Sequence, residues 1–265
     1  MTHHRAKKRF GQNFLRDRQV VDQIIAAAEL SSADRVMEIG PGLGVLTDRL
    51  LKTAGRVLII EIDRDLVGNW EQRNEPNLQI VSGDVLALDW AELLTGTGWK
   101  LVANLPYNIS SQVVFRIIEQ RNRFCRLVLM FQKEVGDRLC AGPGSRDYGA
   151  LSIFSQLWFD IERVVKVPPQ AFTPAPKVDS VVLKFTPLPQ ARVAIGDERQ
   201  FKRVVKSAFA QRRKTLRNTL KTGGFSSVEI ATALEKVAID PGRRAETLSL
   251  AEFARLADQL PGATD

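Results

Sequence analysis

Short apolar segments alternate with segments of helical periodicity through most of this 265-residue chain. Strands are predicted at 35–39, 56–60, 78–82, 100–103 and 126–131, with two further extended segments at 161–167 and 178–185. Helices are predicted around 17–30, 46–52, 65–74, 111–119 and 150–156. This alternation is typical of βαβ units and predicts an α/β fold with a largely parallel sheet. The ligands of such sheets bind at the carboxyl ends of the strands.

The C-terminal part has a different pattern. Beyond about residue 195 only helical periodicity is found, near 197–221, 227–237 and 249–260. The stretch Pro187-Leu-Pro189 and the polar residues after it are typical of a domain boundary. We therefore predict an α/β domain over 1–190 and a small all-helical domain over 191–265.

Several classes of protein are disfavoured by what the chain lacks. No run approaches the ~18 apolar residues of a membrane span, and the basic start has no apolar signal segment, so we expect no membrane association. Cys125 and Cys140 form no C-x-x-C motif, which suits reduced thiols in a cytoplasmic protein. His3 and His4 are adjacent near the N-terminus, which argues against a histidine metal site or catalytic dyad.

A glycine-rich turn follows the first predicted strand, with the sequence Glu38-Ile-Gly-Pro-Gly-Leu-Gly44. Glycines at such a junction permit a tight turn and close approach of the backbone to a ligand. A dinucleotide fingerprint would place its third small residue at position 45, where Val45 stands. The E-x-G-x-G-x-G spacing instead resembles the first motif of class I S-adenosylmethionine (SAM) methyltransferases. It predicts cofactor contacts from Gly40, Gly42 and Gly44.

Acidic residues follow the next two strands. Glu61 ends the second strand and is well placed to accept both ribose hydroxyls of a cofactor. Asp84 follows the third strand and suits a hydrogen bond from the adenine amino group of the cofactor. Asp63 lies past the apolar run, and we interpret it as a surface or capping residue. Each acid alone has a capping or turn explanation, but suitable groups at three successive strand ends predict SAM binding.

The quartet Asn104-Leu-Pro-Tyr107 follows the fourth strand. An asparagine oxygen and a backbone carbonyl beside a proline, which has no N–H, can accept the two hydrogens of a planar amine. Tyr107 can stack on the base that carries that amine. The alternative is a strand that ends in a proline turn with a half-buried tyrosine.

Basic charge is concentrated in one segment. The chain has 38 Lys and Arg against 30 Asp and Glu, for a net charge of +8 and a pI near 9.7. Nine of these bases, with no acid, occur between Arg199 and Lys221, interleaved with apolar residues at helical spacing. This pattern predicts an amphipathic helix whose basic side contacts phosphates, the alternative being a merely solvated face. A second basic cluster comprises Arg5, Lys7, Lys8 and Arg9.

Motifs spread over nearly the whole chain resemble the ribosomal RNA adenine dimethyltransferase family, in particular its bacterial small-subunit (16S) members. The matching segments are Lys8-Arg-Phe-Gly-Gln-Asn-Phe-Leu15, Glu38–Gly44, Glu61-Ile-Asp63, Asn104-Leu-Pro-Tyr-Asn-Ile-Ser110, Gln132-Lys-Glu134, Tyr148-Gly149, Val167-Pro-Pro169, Phe172-Thr-Pro174, Pro176-Lys-Val-Asp-Ser180, Ala208-Phe-Ala-Gln-Arg-Arg-Lys-Thr215 and Ile239-Asp-Pro241. The resemblance implies a Rossmann-like, seven-stranded class I SAM-dependent methyltransferase domain followed by a small helical RNA-binding domain. It places cofactor contacts at Asn13, Leu15, Gly40, Glu61, Asp84 and Asn104.

The resemblance also implies an activity and a partner. The enzyme would transfer methyl groups from SAM to N6 of two adjacent adenosines in a hairpin near the 3′ end of 16S rRNA, during biogenesis of the small subunit. Its partner would be the precursor of the 30S subunit, and we expect it to act as a monomer without a metal. The RNA contacts we expect are Lys7, Lys8, Arg9, Lys206, Arg212, Arg213, Lys214 and Arg217.

The expected chemistry is positioning of the amine. Asn104 Oδ1 and the carbonyl of Leu105 or Pro106 would accept the N6 hydrogens, and Tyr107 would stack on one face of the extruded adenine. Phe172 is the candidate for the other face, unless it is a core residue. No general base is required, because the methylated amine loses its proton readily to water.

Three alternatives remain open from the sequence. A resistance-type methyltransferase that acts on 23S rRNA shares the motifs of the first domain. A non-catalytic assembly factor on the same scaffold would bind RNA without methylating it. A small-molecule or DNA adenine methyltransferase fits the core motifs but leaves the basic C-terminal segment unexplained.

Overall fold

The computed structural model describes residue 7 and residues 10–262. The chain divides into two compact units, the first made of Met1–Gly136 and Asp160–Pro187, and the second of Asp137–Phe159 and Leu188–Asp265. The first unit ends three residues before the boundary predicted at 190, while 137–159 joins the second unit, which the sequence did not predict. The assignment of separate catalytic and RNA-binding roles to 1–190 and 191–265 stays a prediction.

Nine strands and seven helices make up the chain as far as Pro187 in the described part of the structure. The strands are β1 (Phe14–Leu15), β2 (Arg35–Ile39), β3 (Arg56–Glu61), β4 (Leu78–Ser82), β5 (Trp99–Asn104), β6 (Phe124–Gln132), β7 (Phe159–Val167), β8 (Phe172–Thr173) and β9 (Ser180–Pro187). The helices are α1 (Arg18–Ala28), α2 (Thr47–Thr53), α3 (Arg64–Glu71), α4 (Trp90–Leu93), α5 (Ser110–Glu119), α6 (Lys133–Cys140) and α7 (Ala150–Trp158). The short elements β1, α4, α6 and β8 were not predicted.

Seven strands form one sheet in the order β4-β3-β2-β5-β6-β9-β7, and β1 pairs separately with β8. The strands from β4 to β6 are parallel, and β9 is antiparallel to β6. The α/β prediction, with a mostly parallel seven-stranded sheet, is confirmed. This order places the carboxyl ends of β2, β3, β4 and β5 along one edge of the sheet.

The central strands are apolar because helices cover them. In β3 the residues from Val57 to Ile60 are at most 2% exposed, as expected for a parallel strand that is buried on both faces. Helix α1 begins after Asp17, whose carboxylate accepts from the N–H groups of Gln19 and Val20. Its Val20, Val21 and Ile24 join the hydrophobic core cluster that also contains side chains of β2, β3, β5, β6 and β9.

The C-terminal unit is helical after Pro187 in the described residues. It contains α8 (Glu198–Phe209), α9 (Leu216–Thr222), α10 (Ser227–Lys236) and α11 (Leu250–Gln259). Phe201, Leu220, Leu234 and Phe253 are buried in this unit. Ser226 and Ser249 begin α10 and α11 with capping boxes. No helix within residues 10–262 is long and apolar enough to cross a membrane.

The single basic helix predicted over 197–221 is wrong. The helix ends at Phe209 and a new one begins at Leu216, so the bases from Arg212 to Lys214 lie in a connection. The reason is tertiary: the Arg212 guanidinium donates to the carbonyl oxygens of Arg146 and Tyr148 at 3.1 and 3.4 Å. The N–H of Leu216 donates to the carbonyl oxygen of Arg243 at 2.7 Å instead of continuing the first helix.

Candidate active site

A cleft lies at the carboxyl ends of the central strands. It encloses about 920 Å³ of space, including its open mouth. The glycine turn, the end of β3, the segment after β4, the quartet after β5 and the N-terminal arm of residues 10–15 form its walls. The lining includes the predicted residues Asn13, Leu15, Gly40, Gly42, Glu61, Asp84, Asn104, Leu105, Pro106 and Tyr107. Among the predicted catalytic and cofactor-binding residues, the lining does not include Gly44 and Phe172.

The glycine turn brings its backbone to the cleft. Gly40 and Gly42 have φ values of +66° and +56°, in the region that favours glycine. A Cβ on Gly42 would stand 3.0 Å from the ring of Phe14, so a side chain there would require that ring to move. Gly44, at φ +92°, serves packing, because its Cβ would stand 2.5 Å from the Trp70 ring. Gly44 therefore packs closely against α3, and its cofactor contact stays a prediction.

Glu61 is held with its carboxylate at the cleft wall. Its two oxygens accept from the N–H of Asp63 at 2.9 Å and from that of Gly42 at 3.4 Å. The side chain is 4% exposed, and burial raises the pKa of the carboxyl while these hydrogen bonds lower it in part. Each oxygen keeps acceptor capacity for a further donor, which fits a pair of ribose hydroxyls.

Asp84 stands at the opposite part of the cleft, after β4. One of its oxygens accepts from the N–H of Leu86 at 2.9 Å, in the local turn that the sequence offered as an alternative. The carboxylate is nevertheless part of the cleft lining. Its second oxygen is a suitable acceptor for an exocyclic amino group.

Glu38 is an acid whose role the sequence analysis missed. Its side chain is 1% exposed, and Thr47 Oγ1 donates to Glu38 Oε2 at 2.7 Å. Burial raises the pKa of this carboxyl to about 8, and the negative charges of Asp48 and Glu61 act in the same direction. The side chain lines the cleft. Because its pKa is about 8, it is mostly neutral at pH 7.

Asn104 ends β5 with its amide oriented. Nδ2 donates to the carbonyl oxygen of Asn13 at 3.1 Å. Because that acceptor needs the NH₂ group, the amide oxygen Oδ1 is the atom left to accept a hydrogen bond. Asn13 donates in turn through its own Nδ2 to the carbonyl of Gly11 at 3.1 Å. The arm thus orients the side chain that was predicted to accept the target amine.

The hydroxyl group of Tyr107 is held by Ser180. The hydroxyl groups of the two residues lie 2.7 Å apart, and Ser180 is buried at the start of β9. Burial raises the pKa of Tyr107, with the Ser180 hydrogen bond acting against that shift. The ring borders the cleft, so its position suits stacking on a ligand. Ser180 had no assigned role in the sequence analysis.

Phe172 lies elsewhere than predicted. It is 3% exposed and belongs to the hydrophobic core cluster with residues of α1 and the central strands. The pairing of β8 with β1 brings Phe172 opposite Leu15 and turns it inward. The alternative interpretation, a core phenylalanine, describes this position, and the structure does not bring the ring to the second face of a base.

Lys7 is engaged in ion pairs rather than presented as a free cation. Its Nζ lies 2.6 Å from Asp63 and 2.6 Å from Asp65, and Gln12 also donates to Asp63 at 3.0 Å. Burial raises the pKa of Asp63, but the hydrogen bonds from Lys7 and Gln12 outweigh it and leave the pKa lowered. Asp63 caps α3 as expected, but it is 1% exposed and not a surface residue.

The other predicted RNA contacts fall into three groups. Lys206, Arg213, Lys214 and Arg217 are exposed on the C-terminal unit. Arg212 is exposed, but its guanidinium donates to main-chain carbonyl groups, so its RNA contact stays a prediction. Lys8 and Arg9 lie outside the described residues. Among residues 7 and 10–262, no group of three or more His, Cys, Asp or Glu residues could hold a metal ion.

The chain resembles known proteins over nearly its whole length. The family model described as ribosomal RNA adenine dimethylase matches residues 3–261. The chain is 61% identical over 257 residues to "Ribosomal RNA small subunit methyltransferase A" of Syntrophotalea carbinolica, and the match covers 97% of both chains. It is 51% identical to the protein of the same name from Geobacter metallireducens, over 95% of this chain and 94% of that one.

Two solved structures share the fold over nearly the full length. A dimethyladenosine transferase from Plasmodium falciparum superposes with a TM-score of 0.79 at 29% identity, covering 92% of this chain and 95% of the other. The 23S rRNA methyltransferase ErmE superposes with a TM-score of 0.70 at 25% identity, covering 94% and 99%. The likeness therefore includes both compact units and not the α/β unit alone.

Proposed function

The chain belongs to the ribosomal RNA adenine dimethylase family, and we propose that it methylates two adjacent adenosines in a hairpin near the 3′ end of 16S rRNA. It is a SAM-dependent rRNA adenine dimethyltransferase, and the product at each position would be N6,N6-dimethyladenosine. The observation that carries the proposal is the orientation of Asn104. Its amide oxygen is left for an amine donor in the same cleft that Glu61 and Asp84 line.

Asn104 Oδ1 and the carbonyl oxygen of Leu105 or Pro106 would accept the two N6 hydrogens. An exocyclic amine is a poor nucleophile because its lone pair is delocalised into the ring. Two hydrogen-bond acceptors hold the amine in one geometry. They favour an amine whose lone pair is no longer delocalised into the ring and can attack the methyl group. Asn104 would present its oxygen as the acceptor, since its NH₂ group is oriented by donating to the carbonyl oxygen of Asn13.

Tyr107 would support the base itself. Its ring borders the cleft and its hydroxyl is fixed by Ser180, so the ring plane is set before the substrate arrives. Stacking of an extruded base on an aromatic ring is a common way to hold it against return to its own strand. No general base is needed, because the amine becomes acidic enough on methylation to lose a proton to water.

The residues of the cleft fit SAM, which supplies an electrophilic methyl group when bound. Glu61 would accept the ribose hydroxyls and Asp84 the adenine amine. The backbone at Gly40 and Gly42 would approach the cofactor closely. Both residues have positive φ angles that favour glycine, and the absence of a side chain at Gly42 avoids contact with Phe14. The arm residues Asn13 and Leu15 would close the site from the other side.

The second methylation needs a site that tolerates the first methyl group. We infer that the amine then gives up one of its two hydrogen bonds. A backbone carbonyl as the second acceptor makes this easier than a second side chain would, because the carbonyl remains available to solvent or main-chain donors. We expect the enzyme to act as a monomer, in the cytoplasm where the small subunit is assembled.

The alternative of a 23S rRNA substrate is not favoured. The relatives that share 61% and 51% of the sequence are named as small-subunit enzymes, whereas the 23S rRNA methyltransferase ErmE shares 25%. An assembly factor that only binds RNA would not need the oriented amide of Asn104 or the glycines Gly40 and Gly42 of the cleft. A small-molecule or DNA substrate leaves the exposed bases of the C-terminal unit without a role.

The test is transfer of labelled methyl groups from SAM to 30S subunits that lack the two dimethyladenosines, with the modified nucleotides mapped. Naked 23S rRNA is the competing substrate. Asn104→Ala should lower transfer by about two to three orders of magnitude, as loss of one preorganised catalytic hydrogen bond does. Asn122→Ala, which removes an exposed asparagine on a surface turn, is the matched control. Undiminished dimethylation by Asn104→Ala, or preferred transfer to 23S rRNA, contradicts the proposal.

A further inference from the structure

We propose that Val178 enters the rRNA base stack in place of the target adenine when that base is extruded into the cleft. Val178 lies in the loop of residues 174–179, which connects β8 to β9. The inference rests on the proposed function, since it concerns how the substrate base reaches Asn104. No part of the mechanism described above supplies a group for the gap that the base leaves behind.

The loop emerges at the edge of the sheet where the amine is bound. Strand β9 begins at Ser180, which pairs with Gln132 at the end of β6. Strand β6 pairs in turn with β5, with Met130 opposite Asn104. Neighbouring strands are about 4.8 Å apart, so the start of β9 lies about 10 Å across the sheet from Asn104. Val178 is two residues before Ser180, and Ser180 contacts the cleft-lining Tyr107.

The loop is fixed to the catalytic quartet at its C-terminal end. Ser180 Oγ lies 2.7 Å from the hydroxyl of Tyr107, and the carbonyl oxygen of Asp179 accepts from the N–H of Lys133 at 2.9 Å. These contacts hold residues 179 and 180 on the sheet. A group at 178 thus keeps a constant position relative to the ring that supports the extruded base.

Val178 is an exposed apolar side chain on this loop. It is 46% exposed, and the other exposed large hydrophobic residues in the described part of the chain are Leu43, Ile62 and Val228. Leu43 and Ile62 line the cofactor cleft, and Val228 lies on α10 of the helical unit. Single exposed hydrophobic residues are common, so exposure alone would mean little. Here the exposed valine is two residues from Ser180, which holds the ring expected to support the extruded base.

The chemistry of the side chain suits this use. Removing a base from its stack costs free energy, and proteins offset that loss by inserting apolar side chains between base steps. A β-branched side chain is stiff about χ1, so little entropy is lost when it is inserted. The flanking Lys177 and Asp179 carry opposite charges. The loop therefore adds no net electrostatic attraction for RNA, and its contribution lies in base extrusion rather than in affinity.

The experiment uses the full-length protein and 30S subunits rebuilt with 2-aminopurine at the first target position. Fluorescence of 2-aminopurine rises when the base leaves its stack. Wild-type protein with S-adenosylhomocysteine should raise the fluorescence, and Val178→Ala should raise it several-fold less. On unmodified 30S subunits Val178→Ala should lower kcat/KM about tenfold, as expected from losing the burial of the methyl groups of one valine.

Two variants and two binding measurements keep the test specific. Val228→Ala removes a valine of α10 that is more exposed than Val178, at 76% against 46%, and should match wild type. Val178→Ile keeps an apolar β-branched group and should retain extrusion. The affinities for 30S subunits and for S-adenosylhomocysteine should not change in Val178→Ala, which separates extrusion from folding and from RNA binding.

The outcomes distinguish the two proposals. Normal extrusion and transfer by Val178→Ala overturns the role of Val178 while the proposed function stands. Equal loss of 30S affinity and of transfer also overturns it, because the loop would then act in binding. Absence of transfer to the 30S adenosines by the wild-type protein overturns both.

Discussion

Glu38→Gln should stabilise the protein, and more so as the pH rises. Burial raises the pKa of this carboxyl from 4.5 to about 8. A carboxyl whose pKa is higher in the folded protein binds a proton there that the unfolded chain has already released. The folded state therefore loses stability relative to the unfolded state as the pH rises from 4.5 towards 8. Over that range the unfolded chain is ionised, so folding must either take up a proton from solution or bury a charged carboxylate.

The size of the effect follows from the pKa difference. Each pKa unit corresponds to about 1.4 kcal/mol. A pH of 7 is 2.5 units above the pKa of 4.5 of the unfolded carboxyl, whereas the folded carboxyl is still mostly protonated at that pH. Glu38 thus lowers the free energy of unfolding at pH 7 by about 3 kcal/mol relative to a group that does not ionise. Glutamine is nearly isosteric and can still accept from Thr47, so most of this amount should be recovered.

The assay is urea unfolding of the ligand-free protein at pH 5, 7 and 9. The stability difference between Glu38→Gln and wild type should be small at pH 5, about 2 to 3 kcal/mol at pH 7 and larger at pH 9. Glu71→Gln, which replaces an exposed glutamate on α3, is the control and should shift stability by less than about 0.5 kcal/mol at each pH. A difference for Glu38→Gln that does not change with pH would refute the argument that this carboxyl is neutral in the folded state.

Three further predictions concern other parts of the molecule. Gly42→Ala should lower the free energy of unfolding by about 1 to 2 kcal/mol and weaken S-adenosylhomocysteine binding in calorimetry, because φ is +56° and the new Cβ meets the Phe14 ring. Lys214→Ala should reduce the slope of log affinity for 30S subunits against log salt concentration by about one, as loss of one phosphate contact does, and an unchanged slope would exclude that contact. Arg243 lowers the pKa of Glu252 from 4.5 to about 2 by hydrogen bonding, so this pair stabilises the protein above pH 4.5 and ceases to do so as the pH falls to 2. Arg243→Met should cost about 1 to 2 kcal/mol at pH 7 in urea unfolding, since both side chains are partly exposed. The cost should fall near pH 2, where the hydrogen bonds of Arg243 to Thr247 are left.

The sheet and the cleft were predictable because their signals are local. Apolar runs of four to six residues identify the buried parallel strands, and polar groups such as Glu61 and Asn104 follow the runs directly. Parallel strands bring those ends to one edge without further information. The fold class, the SAM cofactor and the rRNA methyltransferase activity are confirmed, while the roles of individual site residues stay predictions.

The differences between the predictions and the structure concern residues whose partners are distant in sequence. Phe172 turns into the core because the two-residue strand β8 pairs with β1, and no periodicity marks a strand of that length. The basic segment breaks at 210–215 because Arg212 donates to carbonyl groups more than sixty residues away. In the sequence Lys7 belongs to a basic N-terminal cluster, and only the fold brings Asp63 and Asp65 into ion pairs with it. Helical or strand propensity contains no term for such contacts.

The N-terminal arm is the part whose interpretation changes most. Lys7 and Gln12 hold Asp63, whose N–H donates to the carboxylate of Glu61. Further along the arm, the Asn13 carbonyl accepts from Asn104 and thereby fixes the amide oxygen that would receive the target amine. Residues 7–13 therefore contact the expected amine acceptor directly and the expected ribose acceptor through Asp63. Since these groups serve the two substrates of one transfer, a change that displaces the arm should impair cofactor binding and amine positioning together, which an RNA-binding tail would not do.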